Sequence, residues 1–106
     1  MTRRRIRGSS YRPRLCVFRS NKHIYAQVID DKDKKTIASS STIDKKVRQN
    51  ISSTSTCAAA HSVGQDIAKK SKEKGISKVV FDRKNQIYHG RIKALAEGVR
   101  AEGIKL

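Results

Sequence analysis

The runs RLCVFRS (14–20) and HIYAQVI (23–29) constrain the fold more than any other part of the chain. Both are short, rich in β-branched and aromatic residues, and alternate with period two. The polar stretch SNK between them leaves no room for a crossover, so the two strands must pair as an antiparallel hairpin. The alternation also sorts the side chains of the second run. Ile24, Ala26 and Val28 fall on one face, which must be core, while His23, Tyr25 and Gln27 share the other and offer an aromatic ring and hydrogen-bonding groups.

The charged turn DDKDKK (30–35) leads into TIASSST (36–42), a weaker third strand expected at a sheet edge. Its Ser39, Ser40, Ser41 and Thr42 are short enough to let a partner approach closely. Residues 43–54 show no period and read as a loop. Thr54 or Ser55 then caps a helix running to Lys74, with Ala60, Val63, Gly64, Ile67, Ala68 and Ser71 on one face and Gly75 ending it. That stripe of small residues lets the helix lie close to a sheet. ISKVVFD (76–82) is a further short strand, and after the loop RKNQIYHG a second helix covers about 90–102. Ile92, Leu95, Ala96 and Val99 form its apolar face and Gly103 stops it.

The expected architecture is therefore α/β, in the order βββαβα. A three-stranded antiparallel hairpin region and one further strand form a single sheet packed by two helices. At 106 residues the chain holds one core. Hydrophobic residues make up 36% of it, so that core must be small. Residues 14–106 make the domain. Residues 1–13 make a basic tail: Arg3, Arg4, Arg5, Arg7 and Arg12 carry no acid among them, and Gly8, Ser9, Ser10 and Pro13 oppose helix formation. Such a segment is expected to be disordered when free.

With 25 Lys plus Arg against 9 Asp plus Glu, the formal net charge is +16, which implies a polyanionic partner. Nucleic acid fits, since each Lys or Arg that neutralises a phosphate releases a condensed counterion. A membrane does not, because no apolar run approaches the length of a span and the charges do not line one face of a long amphipathic helix. Cys16 and Cys57 form no CxxC pair and read as buried thiols in a reducing compartment. The pairs Cys57 with His61 and Cys16 with His23 lack the paired knuckles of a zinc site, so no metal is expected.

Asp30, Asp31, Asp33 and Asp82 at strand ends raise the alternative of a metal-dependent nuclease. Three of them crowd into a turn where Lys32, Lys34 and Lys35 are expected to neutralise them in solvent. DDKDKK lacks the glycine and closing glutamate of a calcium loop, and the chain has no G-x-S-x-G elbow. A basic protein that binds nucleic acid generally is the other alternative.

Three basic patches remain. The tail is one, extended by Arg14 at the start of the first strand. The hairpin tip is the second, with Arg19, Ser20, Asn21, Lys22 and His23 around it and Tyr25 and Gln27 just inside; Ser41 and Thr42 of the edge strand are further candidate RNA contacts. The third is the entrance of the last helix. There the unpaired N–H groups suit a phosphate, Gly90 permits close approach, and Arg83, Arg91 and Lys93 add charge. Tyr88 and His89 can stack on or bond to an unpaired nucleotide there, or serve as a core aromatic and a helix cap.

RPRLCVFRSNKHIYAQVID (12–30) and KGISKVVFDRKNQIYHGRIKALAEGVRAEGIKL (74–106) resemble the bacterial-type large-subunit ribosomal protein eighteen family, whose C-terminal signature FDR, YHGR, AEG and GIKL match closely. TIASSST and the first helix fit more loosely. The resemblance implies a compact α/β domain without catalysis, cofactor or small-molecule substrate, and a basic extension lying along 5S rRNA. It also implies a role in joining 5S rRNA to 23S rRNA and to neighbouring proteins of the central protuberance. Arg19 to His23, Tyr25 and Gln27 match the hairpin that meets RNA, and Tyr88, His89 and Arg91 match the helix-entry contact. The tail is shorter than in most bacterial relatives, and Lys84 and Asn85 stand where glycine is frequent. The wording of 12–30 is nearer to cyanobacterial and plastid members, which places the expected protein in the large subunit of a chloroplast ribosome ahead of a bacterial one.

Overall fold

The computed structural model describes residues 12–48, 56–82 and 87–106. The expected disordered tail lies outside them as far as residue 11. Pro13, assigned above to the tail, belongs to the domain: it is fully buried, and its carbonyl accepts the Val80 N–H at 2.9 Å.

The predicted hairpin forms from β1 (Arg14–Arg19) and β2 (Ile24–Asp30), paired antiparallel with Phe18 opposite Tyr25 and Leu15 opposite Val28. β3 (Lys35–Ser41) pairs antiparallel with β2 and is an edge, as expected. β4 (Val80–Asp82) lies on the far side of β1 and runs parallel to it, giving a mixed sheet in the order β3-β2-β1-β4. The final strand is shorter than the run ISKVVFD because that run is divided between two partners. Only 80–82 pair with β1, while Val79 N–H donates to the Lys105 carbonyl and Lys105 N–H to that of Ser77, tying the chain's end to the sheet.

A four-residue helix, α1 (Lys45–Arg48), stands where 43–54 reads as a loop. One turn has no period to detect, and Val47 anchors it by burial. α2 (Cys57–Glu73) is capped by Thr56, whose hydroxyl accepts the Ala59 N–H at 3.1 Å; the predicted caps Thr54 and Ser55 lie outside the described residues. All six residues of its predicted face are buried, and Gly75 takes a φ of +80° just past its end. α3 (Gly90–Ala101) buries the predicted Ile92, Leu95, Ala96 and Val99.

Both helices cover the sheet face formed by Leu15, Val17, Ile24, Ala26 and Val28, and the core lies between. They cross almost backbone to backbone. A Cβ on Gly64 would stand 2.1 Å from the Leu95 carbonyl oxygen, and one on Gly98 would stand 2.3 Å from that of His61. The opposite sheet face carries Phe18, Tyr25, Gln27, Ser39 and Ser41 and has no helix over it among the described residues.

Candidate nucleic-acid interface

β1 ends at the hairpin tip, and β3 runs the same way, so the end of β3 at Ser41 lies beside the start of β2 at that tip. The tip is closed by Ser20 N–H donating to the His23 carbonyl at 2.9 Å, with the His23 N–H returning to the Ser20 hydroxyl at 3.3 Å. Arg19, Ser20, Asn21 and Lys22 are all exposed, and no carboxylate occurs from 19 to 23.

His23 is half-buried and held from behind. Thr42 Oγ accepts the Ile24 N–H at 3.1 Å and lies 3.0 Å from His23 Nδ1. The Thr42 hydroxyl can accept from an Nδ1–H or donate to a bare Nδ1, and either bond fixes the ring in place. Thr42 therefore differs from the expectation. It is completely buried and cannot touch a partner with its side chain; it positions His23 instead. Ser41 is half-buried, and its hydroxyl accepts the Ile43 N–H at 3.2 Å. Tyr25 and Gln27 are half-buried on the open face, where the Tyr25 ring stacks on Phe18 at 5.1 Å between centroids.

At the α3 entrance, Tyr88 takes the place of a core aromatic. Its ring sits edge-on to Phe81 at 6.1 Å and packs against the core, while its hydroxyl accepts from Arg100 Nη1 at 2.7 Å. His89 occupies the N-cap position but makes no side-chain cap bond and stays exposed. Gly90 has φ +56°, a conformation that L side chains rarely adopt, with open space where a Cβ would be. Arg91 is half-buried with Nη1 shielded and without a hydrogen-bond partner among the described residues, and Lys93 is exposed. Arg3, Arg4, Arg5, Arg7, Arg83, Lys84 and Asn85 lie outside the described residues.

Arg12 is exposed. Arg14, read as a phosphate-neutralising arginine, is held inside the domain instead. It forms a fork on Asp31 (Nε to Oδ2 3.2 Å, Nη2 to Oδ1 3.1 Å) and reaches Asp82 through Nη1 at 3.0 Å. The hydrogen bonds it donates to Asp31 lead in raising its pKa, burial opposes, and Asp82 adds to the rise.

The same geometry takes apart the carboxylate constellation of the nuclease reading. Asp31 and Asp82 clamp an arginine from the start of β1. Asp30 is buried, and its Oδ1 accepts the Lys32 and Asp33 N–H groups. Cys57 departs from expectation as well: Cys16 is buried, but Cys57 is exposed in the first turn of α2.

A second carboxylate pair holds Lys70, 2.9 Å from Asp66 and 3.4 Å from Asp44. These four acids and two cations sum to −2, so the remainder of the chain carries +18. Sequence reasoning missed Phe18, although the alternation that buries Leu15 and Val17 turns it to the open face.

The family model for ribosomal L18 of archaea, bacteria, mitochondria and chloroplast matches residues 1–106. The large ribosomal subunit protein uL18c of Gracilaria tenuistipitata var. liui is 63% identical over 97% of this chain and 98% of its own length. That of Cyanophora paradoxa is 58% identical over 97% and 86%, and uL18 of a Nostoc species is 54% identical over 96% and 85%. The βββαβα domain, its basic hairpin tip and these matches along nearly its whole length make the chain a member of the ribosomal L18 family.

Proposed function

We propose that this chain is a structural protein of the large ribosomal subunit that binds 5S rRNA and helps attach it to 23S rRNA and neighbouring proteins in the central protuberance, in a chloroplast ribosome. Membership of the L18 family supports the ribosomal part, and the uL18c names of the Gracilaria, Cyanophora and Guillardia relatives support the plastid part. The observation that carries the RNA reading is the carboxylate-free hairpin tip. Arg19, Asn21 and Lys22 stand exposed beside a His23 whose ring is fixed by Thr42.

Phosphates meet the tip and the tail arginines, and the His23 ring, held in place by Thr42, adds a polar group suited to a phosphate or 2′-hydroxyl oxygen. The Arg91 guanidinium and the exposed His89 at the opening of α3 supply a second contact. If about six phosphates are neutralised, the log of the 5S rRNA affinity falls against the log of salt with a slope of roughly −4 to −5. Filter binding across a salt series measures that slope. A value near zero contradicts the proposal.

A further inference from the structure

Phe18 is left out of the core that its own strand builds. Leu15 and Val17 are 1% and 0% exposed, whereas Phe18, one residue on, is 39% exposed on the face that no helix among the described residues covers. A single exposed ring needs no explanation by itself. Its surroundings do. Phe18 and Tyr25 are directly opposed across the hairpin and stacked nearly parallel, 5.1 Å apart and inclined by 16°. Beside them lies a concavity of about 210 Å³ walled by Gln27, Ser39 and Ser41 as well as the two rings. At about 30 Å³ per water, that is the space of roughly seven waters, suited to one planar ring system rather than to a drug-sized ligand.

We propose that Phe18, backed by Tyr25, is a stacking platform for one unpaired nucleobase of the bound rRNA. The platform rests on the rRNA reading given above. The Gln27 amide and the serine hydroxyls stand where the polar edge of such a base would lie, and the next residue in the chain, Arg19, opens the cationic tip. A protein side chain is the poorer occupant. The lining sets only two rings and Ala26 among Gln27, three serines and Asp44, whereas interfaces built on apolar contact use continuous patches of several hundred Å². Asp44, the one acid at the rim, is bonded to Lys70.

The test uses the full chain and 5S rRNA. Stacking of one base supports a 5- to 150-fold loss of affinity in Phe18→Leu, while Phe18→Tyr stays within about threefold of the parent. The salt slope is the same in all three proteins, because a stacked base releases no counterions. The chain contains no tryptophan, so Phe18→Trp places a lone reporter at the platform, and saturating 5S rRNA is expected to quench its emission. Phe18→Leu binding as tightly as the parent, or a tryptophan whose emission ignores bound RNA, overturns the platform while leaving the rRNA reading intact. A parent chain that shows no affinity for 5S rRNA removes both.

Discussion

The crossing of α2 and α3 makes Gly64→Ala the most informative test of the fold that carries the interface. The new methyl carbon would stand 2.1 Å from the Leu95 carbonyl oxygen, 3.0 Å from its carbon and 3.1 Å from the Val99 nitrogen, all backbone atoms that no rotamer change can move. Ordinary contact begins near 3.4 Å, so the helices must part by roughly 1.3 Å. A gap of that size forfeits half or more of the dispersion energy of contacts along the seam. Overpacking of this kind costs about 1–3 kcal/mol and sometimes more. Alanine's better helix propensity returns about 1 kcal/mol at most. With a backbone clash the cost belongs at the upper end of that range, for a net loss of about 2 kcal/mol. For a domain of this size that lowers the thermal midpoint by roughly 8–16 °C. Urea and thermal unfolding followed by circular dichroism read the change. A midpoint equal to or above that of the parent refutes the close crossing.

Arg14→Met leaves Asp31 and Asp82 facing each other, and a loss of about 2 kcal/mol is expected, below the 3–5 of a fully buried pair because the side chains keep 15–19% exposure. Asp82→Asn should cost less, since the two-pronged contact to Asp31 survives; urea midpoints of both variants check the order. Thr42→Val strands the buried Ile24 N–H and should cost about 1–3 kcal/mol in thermal unfolding while also freeing the His23 ring. For Lys70, burial lowers the pKa, but Asp66, aided by Asp44, more than offsets it, and the net shift is upward. A raised pKa contributes stability that is complete below the ordinary lysine value of 10.5 and lost as pH climbs through the folded one. The stability difference between the parent and Lys70→Met should therefore be constant from pH 7 to 9 and shrink above about 10.5.

The hairpin and both long helices were legible because each announces itself locally. Alternation placed Ile24, Ala26 and Val28 on the core face, and the i, i+3, i+4, i+7 spacing did the same for Ile92, Leu95, Ala96 and Val99. What escaped the sequence depends on contacts between distant segments. Arg14 looks like one more tail arginine until β4 brings Asp82 beside it, 68 residues further along. Thr42 looks like an exposed edge residue until its hydroxyl is seen under the hairpin tip, bonded across 18 residues to Ile24. The sharing of 77–82 between β1 and the chain's end likewise arises only when Lys105 returns to Ser77 and Val79. The tip from Arg19 to His23 was visible as a candidate because its chemistry is contiguous. Phe18 was missed because its meaning lies in what stacks on it across the sheet.

The central claim is specific recognition of 5S rRNA by a shaped end of the sheet rather than attraction of a polycation to any RNA. It is tested most directly by measuring binding to 5S rRNA and to an unrelated structured RNA of equal length, each across a salt series. The account predicts tighter binding to 5S rRNA, with the preference persisting as salt rises. Equal affinities that fall together with the same steep slope would contradict it.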